Sequence, residues 1–98
     1  MPTEKTVAAK LIAAAISSGY CLSVNDGEAW TVKKSTDKAA ILAALETTGE
    51  DTLRIRDNAT GERIGDVFLV WGNAPNGEEL IADHTDTPTV SSLVRKAA

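Results

Sequence analysis

The residues best equipped for chemistry stand together near the C-terminus. Asp83-His84-Thr85-Asp86 holds the only histidine, with an aspartate on either side of it. Two carboxylates and an imidazole can bind a divalent metal, or one aspartate can orient the ring as a general base. Asp83, His84 and Asp86 are therefore the candidate metal ligands or acid–base groups. The same residues also suit a strand-to-helix turn in which Asp86 or Thr87 caps the helix. A catalytic zinc site needs three converging protein ligands, and local spacing does not bring them together here. An enzyme built on this turn would have a pocket bounded by Gly72–Gly77, whose glycines would let a lid move.

Other chemical signals are weaker. Cys21 is the single cysteine, so it closes no intramolecular disulfide and makes no cysteine-rich zinc site. No basic residue adjoins it to lower its pKa, and strand alternation puts it on the outward face. Gly61-Glu62-Arg63-Ile64-Gly65 lacks the lysine and serine of a phosphate-binding loop and does not open a helix. Lys33, Lys34, Arg54 and Arg56 can form a basic strip on the outward sheet face, with Asp66 neutralising part of it. No cofactor is called for by any of these patterns.

Charge bounds the partners. The 98 residues carry a formal charge of −4. Between Ile64 and Val94 there is no Lys or Arg, while Asp66, Glu78, Glu79, Asp83 and Asp86 are all present. An acidic chain without a basic run argues against nucleic acid as a partner, because phosphate contacts supply most of that affinity. An acidic face could instead steer a basic partner, and an inhibitor of a nucleic-acid-binding protein is one alternative role. No apolar run approaches the roughly 20 residues of a membrane span, so no membrane partner is expected. Leu11–Ile16 is too short for a secretory core, and Glu4 stands where a leader would be basic. With one cysteine and no leader pattern, a cytoplasmic location is expected.

The elements that must position these residues follow from periodicity. The chain has the length of one domain, 1–98, and its 43% hydrophobic content fits a folded core. Val7, Ala8, Leu11, Ile12, Ala15 and Ile16 recur at helical steps over 4–18, with Thr3 as N-cap and Gly19 just past the end. Tyr20, Leu22 and Val24 then alternate, as do Trp30 and Val32, which predicts a hairpin. A three-residue loop at Asn25-Asp26-Gly27 would set Leu22 opposite Trp30 and Tyr20 opposite Val32, all facing inward. Ser35-Thr36-Asp37 offers caps for a second helix over about 37–47, with Ile41, Leu42 and Leu45 inward and Gly49 closing it.

A second hairpin follows. Leu53 and Ile55 alternate with Arg54 and Arg56, and a five-residue loop would pair Asp57 with Arg63, Arg54 with Asp66 and Leu53 with Val67. Lys10–Gly19 (KLIAAAISSG) resembles Ala40–Gly49 (AILAALETTG), which suggests an αββ unit used twice. The fourth strand, over about 63–71, is followed by a fifth near 78–83 that sets Leu80 opposite Leu69 and Ile81 opposite Phe68. Pro88 opens a third helix with Val90, Leu93, Val94 and Ala97 on one face. The order α-ββ-α-βββ-α predicts an α+β domain: one five-stranded, mostly antiparallel sheet with helices packed on it.

Val67-Phe68-Leu69-Val70-Trp71 breaks the pattern, because it is apolar at every position. A strand with one wet face should alternate, and this one does not. Val67, Leu69 and Trp71 belong to the inward set. Phe68 and Val70 then point outward, joined by Ile81 and Ile64. Two readings stay open: the third helix covers that face, or a partner does. Exposed apolar patches commonly mark interfaces, so Ile64, Phe68, Val70 and Ile81 are the candidate interaction residues. The expected function is a small non-catalytic interaction or regulatory module, with a second protein or a second copy on the strand around residues 64–71.

Overall fold

A computed structural model of the chain describes residues 3–45, 49–72 and 80–97. Its elements are α1 (Glu4–Ser17), β1 (Tyr20–Asn25), β2 (Trp30–Ser35), α2 (Lys38–Ala44), β3 (Glu50–Asp57), β4 (Arg63–Val70), β5 (Ile81–His84) and α3 (Pro88–Ala97). The five strands form one open antiparallel sheet in the order β2-β1-β3-β4-β5. This is the α+β architecture that the periodicity predicts. No described helix is long and apolar enough to cross a membrane.

The helix ends obey their local chemistry. Thr3 Oγ1 accepts the Thr6 N–H, and Asp37 Oδ1 accepts the Ala39 and Ala40 N–H groups, each satisfying donors that a first turn leaves open. Thr87 Oγ1 does the same for Val90. Gly19, at φ +91°, supplies the left-handed residue after α1. The second helix is shorter than expected. It stops at Ala44, with Leu45 already extended at ψ 162°, so Gly49 is not its C′ residue. Residues 46–48, which the expected span includes, lie outside the described residues.

All three helices lie on one face of the sheet. Leu11, Ile12, Leu22, Ile41, Leu53, Ile55, Val67, Leu69 and Val90 are all completely buried between them. Burying such an aliphatic side chain stabilises by about 2 kcal/mol. The third helix packs beside α1 and against β4, on the side of Gly65 and Val67. Gly65 permits this approach. A Cβ there would stand 2.6 Å from the Val90 γ-methyl and 3.0 Å from Thr85 Cβ, so only glycine lets α3 come so close. One of the two open readings therefore falls: α3 does not cover Phe68 and Val70.

Three registers depart from expectation, each through a bulge. The β1–β2 connection spans 26–29, not three residues, and pairs Val24 with Val32 and Asn25 with Trp30. Asp26 decides this, because its Oδ1 accepts the Glu28 and Ala29 N–H groups while its own N–H reaches the Ala29 carbonyl. Trp30 consequently faces outward with Asn25 and not inward with Leu22. Between β3 and β4 the pairs Arg54–Asp66 and Leu53–Val67 form as expected, yet Arg56 stands opposite Arg63. An extra residue at Ile64 produces that shift. The two guanidinium groups go to separate acceptors, Arg56 to the Gly61 carbonyl and Arg63 to Asp66. Between β4 and β5, Leu69 pairs with Ile81 and Phe68 with Asp83, because Ala82 is an extra residue on the edge strand. Ile81 is thus not opposite Phe68.

Candidate functional site

Strand alternation builds the sheet's second face from residues one position away from the core. Going across from β1, this face carries Cys21 and Ser23, then Thr52, Arg54 and Arg56 of β3, then Asp66, Phe68 and Val70 of β4. No described helix packs on it. Its two halves differ in character, apolar on β4 and cationic where β2 and β3 flank Ser23 of β1.

On the apolar half, Phe68 and Val70 are half-buried by their sheet neighbours only and make no part of the core. Ile64 and Ile81 fare differently. Both are half-buried but pack against the core from its rim, so the outward strip narrows to Phe68 and Val70. Trp71 faces inward as its alternation predicts, and its Nε1–H donates to Asp51 Oδ2 at 2.8 Å. That bond ties the end of β4 to the start of β3.

On the cationic half, Ser23, Trp30, Lys33, Lys34, Arg54 and Arg56 line a pocket of about 190 Å³. A bulge in the edge strand creates it. Val24 pairs with Val32 and Leu22 with Ser35, so both Lys33 and Lys34 stand opposite Ser23. Lys34 takes the left-handed conformation at φ +50°, unusual for a residue with a Cβ, and its N–H donates to Ser23 Oγ at 2.9 Å. Arg54 lines the pocket from β3. Its guanidinium lies 4.7 Å from the centre of the Trp30 ring and donates to both Asp66 oxygens, at 3.0 and 3.3 Å. The hydrogen bond to Asp66 raises the Arg54 pKa further above its already basic value. Asp66 is shared with Arg63. Lys33, Lys34 and Arg56 form no ion pair with any described carboxylate.

The histidine turn is less organised for catalysis. Asp83 lies on β5 opposite Phe68, and its Oδ1 accepts the His84 N–H. His84 Nδ1 sits 3.0 Å from the Thr85 carbonyl oxygen, which it meets as a donor when protonated there. Asp86 lies beyond the end of β5, exposed in the turn before α3. Among the described residues, no three His, Cys, Asp or Glu side chains gather to hold a metal ion. The expected pocket wall at Gly72–Gly77 lies, apart from Gly72, outside the described residues, as do Glu78 and Glu79 of the acidic stretch. Cys21 is buried beneath its neighbours on the outward face, across from Arg56. A larger groove of about 510 Å³ runs between α1 and α2.

Sequence reasoning named the four cations but not the features that make them a pocket: Trp30 facing outward, Ser23 at the base, and the Lys34 bulge. No protein-family model, no curated protein and no solved structure matches the chain.

Proposed function

We propose that this chain is a non-catalytic interaction module, and that a second protein docks on the open face of its sheet. The observation that carries this reading is the position of α3. It packs with α1 on the core side, so that among the described residues none forms a layer over Phe68 and Val70. Leaving such side chains in water forgoes favourable burial of about 25 cal/mol per Å². Interfaces recover that area. The buried thiol of Cys21, which has no disulfide partner, suits a reducing, cytoplasmic setting.

A different protein fits this face better than a second copy does. Strands about 4.8 Å apart and up to about 25 Å long give a five-stranded face of roughly 500 Å² in projection. A stable interface buries about 800 Å² per partner, so the occupant has to cover both halves. Two copies stacked about an axis along the central strand, β3, would place Arg54 and Arg56 against their own counterparts. Like charges brought together in an interface oppose it.

Photo-crosslinking tests the reading. Phe68→p-benzoylphenylalanine should yield one discrete product with a different protein in the source cell, and the same substitution at exposed Lys10 should not. The free chain should hold the 10.3 kDa of a monomer in light scattering across a concentration series. A crosslink to a second copy, a mass that doubles, or no product specific to position 68 overturns the proposal.

A further inference from the structure

We infer that the pocket beside Ser23 is an anion-recognition site, and that it takes carboxylate groups from an acidic segment of the docked protein. This rests on the proposed docking face and names the chemistry of its occupant.

The first support is segregation of charge. The chain is acidic overall, at −4, yet Lys33, Lys34, Arg54, Arg56 and Arg63 crowd onto one region with Asp66 as the carboxylate paired among them. Solvated strand surface ordinarily mixes its charges, because neighbouring like charges repel. Asp66 is already divided between Arg54 and Arg63. Among the described residues, Lys33, Lys34 and Arg56 have no carboxylate paired with them and face a common hollow.

The second support is the backbone. The bulge and the left-handed Lys34 put two consecutive lysines on the same side of the strand, where regular alternation would send one to each face. A lysine at positive φ costs stability, and such strain collects at binding sites. Ser23 adds a hydroxyl that accepts from Lys34 and keeps its own proton to donate. The stacked Trp30 and bound Asp66 fix Arg54 in place, so one cation is already oriented.

The pocket's surroundings choose the source of the anion. A nucleic acid would need cations tracking its backbone, and past Arg63 at its start β4 carries none. Beyond them stand Phe68, Val70 and then Asp83, with a net acidic molecule behind. A short segment with acidic side chains at the pocket and apolar ones over Phe68 matches both halves.

The test is an amide and indole NMR titration of the full chain with a short peptide alternating glutamate and leucine. Inorganic phosphate and oligothymidylate serve as separate arms. The peptide should shift the Ser23 and Lys34 amides and the Trp30 indole, with affinity falling as salt rises. Lys33→Glu should weaken binding about tenfold. Lys34→Gly removes a cation while relieving the positive φ, so it should weaken binding in a chain at least as stable as the parent. Peptide binding that ignores both lysine variants, or no shift with any probe, overturns the inference. Tighter binding of phosphate or oligothymidylate than of peptide overturns the carboxylate assignment. Phe68→Asp separates the two proposals: peptide binding that survives it but not the lysine changes upholds the anion site and sinks the docking role of Phe68.

Discussion

The two faces of this sheet are built from alternate residues of the same strands, and they end in opposite conditions. Leu53 and Leu69 are completely buried; Arg54 and Phe68, one residue away on each strand, face a side on which no described helix packs. The inner face is mainly aliphatic, with Asp51 buried against Trp71 at one end, and is closed by the described helices. The outer face is split, cationic at one end and apolar at the other. A face that only had to meet water would gain nothing from Phe68 and Val70. The difference teaches that β4 is apolar beyond what its buried face needs, which is the feature the proposed docking role rests on.

The largest test of that contrast lies on the inner face. Leu69→Ala should lower unfolding free energy by about 3 kcal/mol in urea denaturation, through lost burial and the cavity left behind. Gly65→Ala comes next, at about 1–3 kcal/mol, since its Cβ would collide with Val90 on α3. Adding Val90→Ala to that variant should recover part of the loss, a non-additivity that a double-mutant cycle measures. On the outer face the effect shrinks. Phe68→Thr keeps a strand-favouring residue and should stay within about 1 kcal/mol of the parent. A Phe68 change as costly as Leu69→Ala would mean that the faces are not distinct.

The smallest effect concerns the hairpin turns, which belong to neither face. Asp26 and Asp57 use the same device. Asp57 Oδ1 accepts the Ala59 and Thr60 N–H groups as Asp26 accepts those of Glu28 and Ala29. These backbone hydrogen bonds, Ala29 foremost at Asp26 and Thr60 foremost at Asp57, hold both carboxyls below the usual aspartate range. The unfolded chain, with an ordinary pKa near about 3.9, then binds protons more readily than the folded one. Their contribution is complete above that value and lost as pH falls through the lower folded pKa. Thermal melts at descending pH should show Asp57→Asn flattening the acid loss slightly, without altering stability's dependence on any group of the sheet faces.

Much of the fold could be read in the residues themselves. Helical spacing in α1 and α3, the caps at Thr3, Asp37 and Thr87, and strand alternation through Leu53-Arg54-Ile55 all belong to short-range chemistry. The registers were legible only in part: charge and alternation specify Arg54–Asp66 and Leu53–Val67, whereas extra residues shift the rest, two of them in β2 and one each in β4 and β5. Asp26 folding its own loop, Ile64 bulging before Gly65, and Ala82 bulging in β5 are local events with no strong pattern. A single such residue reassigns a partner, as Trp30 shows by facing Arg54 and not the core. The outward position of Phe68 and Val70 was visible in the unbroken apolar run. The cationic pocket was only half visible, because its cations come from strands distant in the chain and its geometry from the Lys34 bulge. That Asp51 is buried against Trp71 left no periodic sign beyond its place in the alternation with Leu53 and Ile55.

Exposure of the second face can be measured directly in dilute solution, by adding a soluble paramagnetic agent and recording side-chain proton relaxation. The Phe68 ring and Val70 methyl signals should broaden strongly, while those of Val67 and Leu69, their neighbours in the chain, stay sharp. Equal protection of Phe68 and Leu69 in the monomer would contradict the account, because something within the chain would then already cover the face assigned to a partner.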